Sequence, residues 1–186
     1  YVFAGHTVSY DNIKNQTAAL TSAFSVDEAS IAKAEEIMSR FTALEDRLAA
    51  VQLVYAGKKV MVLQSGDSSN HYIQTARGTL ASMAAMMGFE NVYENEASSM
   101  AKLDFEQALD YNPELVLCVG SGTAQEHQAL MEQAYSENEA YWYSIDAIKN
   151  GDVIYLPVEF CSTAGIHVVD SINTLIDCIE AFYAEK

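Results

Sequence analysis

Cations are scarce in this chain. Ten Lys and Arg stand against 26 Asp and Glu in 186 residues, a formal charge of −16. Beyond Leu103 the imbalance sharpens to 15 acidic residues against Lys149 and Lys186 alone. Such a field repels phosphate backbones, so no nucleic-acid partner is expected. It suits cationic partners, or simply a solvated acidic surface. Cysteine is also sparse. Cys118, Cys161 and Cys178 form no CxxC pair, which leaves a structural zinc site unsupported. Cys118 in an apolar strand and Cys178 in a helical pattern read as core thiols, and the odd count leaves the redox compartment open. The four histidines, His6, His71, His127 and His167, include no i, i+4 pair, so no helical metal clamp is visible. A P-loop and a GxSxG elbow are both missing, as is any nucleophile, base and orienter that the sequence would bring together. No catalytic residue, metal site or cofactor is therefore expected. No apolar run reaches the ~20 residues of a membrane span. The abrupt, apolar opening "YVFAG" points to a natural protein that begins earlier.

What is present is a chain that is 50% hydrophobic, enough for one domain with a sizeable core. Residues 1 to 5 read as a short strand, and Tyr10, Ile13, Leu20 and Phe24 recur at helical spacing. Ser25 with Glu28 reads as a capping box opening a helix that runs to Tyr55 and stops at Gly57. Its stripe is Ile31, Ala34, Ile37, Met38, Phe41, Leu44, Leu48 and Val51. At 1.5 Å per residue it is roughly 45 Å long, a length that usually spans two lobes or meets a partner helix.

After Gly57 strands and helices alternate. "KVMVLQ" reads as a strand, "TARGTLASMAAMMG" as a helix, "NVY" as a short strand and "DFEQALDY" as a helix ended before Pro113. "ELVLCVG" reads as a buried strand, "TAQEHQALMEQAY" as a helix, "YWYSI" as extended, "DVIYLPV" as a strand and "IHVVDSINTLIDCIEAFYA" as the last helix. This order predicts an α/β fold: a mainly parallel sheet in a three-layer, Rossmann-like lobe, preceded by the long helix. Ligands of such sheets sit beyond the carboxyl ends of the strands. Those ends are the loops 65–74, 120–123 and 158–165.

Each loop offers candidates. The first holds His71 and Tyr72, with Arg77 just beyond; its histidine is either a ligand contact or ordinary polar surface. Arg77 could grip an anionic group or neutralise a neighbouring acid. "VGSGTAQ" carries Ser121 and half a GxGxxG fingerprint, whose third position is Gln125; a tight turn with Thr123 as N-cap is the simpler reading. "VEFCSTAG" places Glu159, Phe160 and Ser162 on the third loop, where Phe160 either meets a large, partly apolar ligand or anchors the loop. His127 reads as exposed, His167 as a capping or packing residue, and Trp142 as packing.

Five segments in order are similar to those of the class III periplasmic binding proteins, the substrate-binding components of ABC importers for siderophores, haem and cobalamin. They are the helix 26–55, "KKVMVLQSG", "GTLASMAAMMGFENVYE", "FEQALDYNPELVLCVG" and "YWYSIDAIKNGDVIYLP". The departures are Gly88-Phe89 for the usual Gly-Gly and Glu114 for the usual Asp. The resemblance implies that residues 1–24 are the tail of a largely missing amino-terminal lobe, 25–56 the linker helix and 57–186 the carboxyl-terminal lobe. It implies a ligand held between two lobes; no family motif marks the contacts, and loop position alone points to His71, Tyr72, Arg77, Ser121, Glu159 and Phe160. An iron-siderophore, haem or cobalamin-like molecule is the implied ligand. A Tyr or His could ligate haem iron. The resemblance also implies Glu106 as a docking contact for the permease and an extracytoplasmic location, in the periplasm or as a cell-surface lipoprotein. Two other readings stay open: a nucleotide-binding enzyme using the "GSGT" turn, and an interaction module. In the latter the exposed stripe of the long helix pairs two copies.

Overall fold

The computed structural model describes residues 9–94, 98–161 and 165–186. The reading of residues 1 to 5 as a strand, and Ser162, lie outside them. Two helices lead, α1 (Tyr10–Phe24) and α2 (Glu28–Tyr55). There follow β1 (Lys59–Ser65), β2 (His71–Gln74), α3 (Thr79–Met86), β3 (Glu90–Asn91), β4 (Met100–Lys102) and α4 (Phe105–Tyr111). The rest is β5 (Leu115–Gly120), α5 (Ala124–Glu137), α6 (Glu139–Trp142), α7 (Asp146–Lys149), β6 (Val153–Leu156), a 3₁₀ turn (Val158–Cys161) and α8 (His167–Ala184).

The sheet runs β4-β2-β1-β5-β6, with β3 beside the start of β1. β1, β5 and β6 are mutually parallel, whereas β2 is antiparallel to both β1 and β4. Alternation along the strands divides the core in two. Val60, Val62, Leu115, Leu117, Val119, Ile154 and Leu156 face α2, α3 and α8. Met61, Leu63, Ile73, Val116 and Cys118 face the layer of α4 to α7. β5 is buried along its whole length, which is why it reads as an unbroken apolar run. This is the three-layer, mainly parallel arrangement expected.

The long helix is as the periodicity predicts, but its start and its surroundings differ. The capping box is Asp27 with Ser30, two residues later than expected. Asp27 Oδ1 accepts from Ser30 N–H at 2.8 Å and Ser30 Oγ accepts from Asp27 N–H at 3.0 Å. Ser25 serves the preceding helix instead, its hydroxyl donating to Thr21 O at 2.6 Å. The stripe on α2 is largely covered. Phe41, Leu44, Leu48 and Val51 are buried under α1 and α8, each worth about 1.5–3 kcal/mol by transfer. Exposed apolar residues remain at both ends, Ile31 at its start with Leu20, Phe24 and Val26 before it, and Leu53 and Val54 near its end. α1 lies on α2 through Tyr10, whose hydroxyl donates to Phe41 O, and through a Lys14–Glu45 ion pair. Arg47 ties α2 to α8 by reaching Asp177 at 2.6 Å and Glu180 at 2.8 Å, with Arg40–Asp170 as a second tie.

Two further segments depart from the sequence reading. The helix expected from Thr75 starts at Thr79, because residues 71–74 form a hairpin strand and Gln74 then caps α3. Gln74 Oε1 accepts from the N–H groups of Leu80 and Ala81, doing the work that N-cap Gly78 cannot. "YWYSI" is not extended. Glu139–Trp142 makes a helical turn that drives Trp142 into the core against Phe105 and Tyr135. Among the described residues no helix is long and apolar enough to cross a membrane.

Candidate functional site

Parallel strands deliver their carboxyl ends to one edge of the sheet, and three loops leave there. After β1 comes the hairpin loop Gly66–Asn70, after β5 the Gly120–Thr123 turn, and after β6 the segment from Pro157. The last two bound an open cleft of about 610 Å³, lined by Gly122, Thr123, Ala124, Gln125, Glu126, Pro157, Val158 and Glu159. It is a concave face open to solvent, of a size that suits part of a larger ligand.

The Gly120–Thr123 turn is rigid for two separate reasons. His127, expected to be exposed, is fully buried, because α5 turns it inward beneath the end of β5. A Cβ at residue 120 would lie within 2.5 Å of Ser65 O and closer still to Nδ1 and Cε1 of His127. Gly120 is therefore required for packing. Gly122 has φ of +83°, a left-handed conformation that favours glycine. Thr123 then caps α5 as the sequence predicts, and Glu126 completes the box. Thr123 Oγ1 accepts from Glu126 N–H at 3.2 Å, and Glu126 Oε2 accepts from Thr123 N–H at 2.8 Å. These bonds hold the Glu126 carboxyl below its ordinary range. The amide that a phosphate would seek at this helix start is thus already taken by an internal carboxylate, which argues against a nucleotide site.

The hairpin changes the geometry of the first loop. Ser65 stands opposite His71 and Leu63 opposite Ile73, so the chain doubles back beside β1. Arg77, which follows, lies away from the strand's carboxyl end. His71 is not on a polar loop but on β2, 7% exposed and on the inner face with Ile73. Its Nδ1 is 2.8 Å from Ser65 Oγ, its Nε2 is 3.1 Å from Ser68 O, and its ring meets Trp142 edge-on at 4.8 Å. Burial lowers its pKa below the ordinary value of 6.5, outweighing the hydrogen bond to Ser68 O and the Asp67 carboxylate nearby. Tyr72 points to the opposite face and is partly exposed, paired across the strands with Lys102.

Of the six expected ligand contacts, the fold brings Glu159 into the lining of the cleft and leaves Ser121 on the adjoining turn, both exposed. Phe160 is buried with the core of the α2 side and anchors its loop, the turn being closed by Phe160 N–H donating to Pro157 O. Tyr72 and Arg77 lie on the β2 side, and both are exposed at the surface. Glu106 is exposed at the start of α4, where Asp104 caps its N–H. That end of α4 lies at the same edge of the sheet as the cleft, since Leu103 N–H donates to His71 O. The sequence reading missed Gln125, Glu126 and Val158 as lining residues; the T-x-x-E spacing of Thr123 and Glu126 was the available signal. His167 is exposed beside Asp170, with no capping bond. Among the described residues no group of three or more His, Cys, Asp or Glu lies close enough to hold a metal ion.

Comparison with known proteins gives one consistent result. A family model described as "Periplasmic binding protein" matches residues 2–159. The chain is 25% identical over 129 residues to the high-affinity heme uptake system protein IsdE of Staphylococcus aureus strain MRSA252, covering 69% of this chain and 42% of that relative. It therefore spans less than half the length of that protein. Among solved structures it resembles an ABC transporter substrate-binding protein from Listeria monocytogenes EGD-e, with a TM-score of 0.73, 17% identity, and coverage of 92% of this chain and 64% of that one. It also resembles S. aureus IsdE complexed with heme, with a TM-score of 0.70, 20% identity, and coverage of 91% and 64%.

Proposed function

The chain belongs to the periplasmic binding protein family, and from that premise we propose that it is the carboxyl-terminal part of a solute receptor that delivers an iron complex to an ABC importer. Haem is the first ligand to try, because a heme uptake protein is among its relatives; a ferric siderophore or a cobalamin is the alternative. The observation that carries the reading is the open cleft at the carboxyl ends of β5 and β6. Concave and open on one side, it suits half of an inter-lobe site. In this reading residues 1–24 end an amino-terminal lobe, α2 links the lobes, and binding involves no turnover. The protein works outside the cytoplasm. Glu106 docks against a cationic group of the permease, a rim charge that sets orientation and encounter more than affinity. Its place at the cleft edge of the sheet supports that role.

The test uses the full-length protein. Haem, a ferric hydroxamate siderophore and cobalamin are titrated while the fluorescence of Trp142 is followed. Saturable quenching by one of them supports the reading, and silence with all three refutes the iron-complex assignment. Glu106→Arg should reduce uptake of that ligand at least tenfold in cells while leaving its Kd unchanged. Normal uptake would remove the docking role.

A further inference from the structure

We infer that His71 is a positioning residue for the edge of the sheet that carries the cleft: its ring is a buried strut that holds the neighbouring Gly66–Asn70 loop at a fixed height. The inference rests on the cleft reading above and gives a role to the histidine that does not face the ligand.

The hydrogen-bond chemistry fixes the tautomer of the neutral ring. The carbonyl of Ser68 can only accept, so Nε2 carries the hydrogen and donates to it at 3.1 Å. In the neutral ring Nδ1 is then an acceptor, taking the hydroxyl hydrogen of Ser65 at 2.8 Å. One end of the ring therefore rests on β1 and the other supports the loop. The loop above it is a single piece. Asp67 Oδ1 accepts from the N–H groups of Ser69 and Asn70, and Gly66 N–H donates to Asn70 O. Displacing Ser68 from His71 would lift the whole lip rather than one residue.

The surroundings favour the neutral ring. Trp142 packs edge-on against it from α6. From α5, His127 lies near enough for a charge on His71 to oppose the protonation of His127, and beyond it stands Cys118 on β5, a neutral thiol whose pKa burial raises. Opposing burial are the hydrogen bond to Ser68 O and then the Asp67 carboxylate, both of which favour protonation; Lys102 on β4 points to the opposite face with Tyr72, and the Asp104 carboxylate is committed to α4. A folded pKa below that of the unfolded chain means that the strut's contribution is complete above about pH 6.5. It is lost as pH falls from there toward the lowered value.

The test is amide hydrogen exchange of residues 66–72 in the full-length protein without ligand, corrected for intrinsic rates. His71→Phe removes both hydrogen bonds and should speed loop exchange about tenfold, the factor expected for losing a buried hydrogen bond. His71→Gln can donate to Ser68 and accept from Ser65, so it should keep the lip protected. In the natural protein, lowering the pH from 7.5 to 5.5 should speed loop exchange and weaken haem binding; in His71→Gln it should do neither. Unchanged exchange in His71→Phe would overturn the proposal. So would acid sensitivity that persists in His71→Gln, which decides the matter even if His71→Phe fails to fold. The exchange measurement needs no ligand. A protein that binds no haem but shows these exchange changes keeps the strut and loses the haem reading.

Discussion

Replacing Gly120 by alanine tests whether this glycine serves packing or a ligand. The added methyl would lie within 2.5 Å of Ser65 O, a backbone atom, and nearer still to the His127 ring. Neither can step aside easily. Ser65 is held by pairing of β1 with β5, and His127 is fully buried with Nε2 at 3.3 Å from Cys118 Sγ. Overpacking a rigid site costs about 1–3 kcal/mol, and two immobile obstacles place this change at the upper end, about 3 kcal/mol. For a protein of this size that lowers Tm by about 6–12 °C. The assay is calorimetry of the full-length protein, read on the transition of this lobe. A double mutant with His127→Ala separates the two obstacles: part of the cost should vanish when the ring is gone, because residues in contact are not additive. Gly66→Ala is the control, since nothing lies within 4 Å of its added carbon, and it should be near neutral. A Tm loss below about 2 °C for Gly120→Ala, or the same loss with and without His127, would refute the packing argument.

Two smaller perturbations probe the frame behind the cleft. Arg47→Met keeps the apolar stem and removes the links to Asp177 and Glu180. It should cost about 0.5–1 kcal/mol in urea unfolding at low salt and less at high salt, because these pairs are partly exposed. Gly78→Ala would put a carbon 2.5 Å from Gln74 Oε1 and 2.7 Å from Gln74 Cβ, displacing the cap of α3. The loss should be about 1–2 kcal/mol, with faster hydrogen exchange at Leu80 and Ala81; unchanged exchange there would show that Gln74 is not the cap.

Much of the frame was legible because it rests on periodicity. β5 reads as buried since six consecutive apolar residues can only be covered on both faces, and α2 reads as one helix since its stripe never slips. Thr123 reads as a cap because its side chain has a donor three residues on. What escaped depends on contacts distant in sequence. The hairpin at His71 is short and polar, with nothing in its composition to show that it pairs with Ser65 rather than forming an open loop. His127 sits between Glu126 and Gln128, neighbours that suggest exposure. Its burial follows from the absence of a side chain at Gly120, a contact that exists only once β5 is in place. Trp142 looked extended among aromatics and is helical because Phe105, Tyr135 and His71 surround it.

The contacts that hold the three loops share one consequence for binding. The lip 66–70 is clamped by Asp67 and rests on His71, the turn 120–123 is closed by Gly120 against His127 and by Thr123 against Glu126, and the 157–160 turn is anchored by buried Phe160. A face assembled from three pinned loops is formed before the ligand arrives, so little ordering entropy is lost on binding. Buried groups such as His71, His127 and Phe160 then set the shape of the face without touching the ligand. In the proposed receptor, selectivity would then fall to the exposed groups that the frame presents, Ser121, Gln125, Val158 and Glu159. Substitutions there should exchange one ligand for another with little change in stability, whereas substitutions beneath them should weaken binding of every ligand alike.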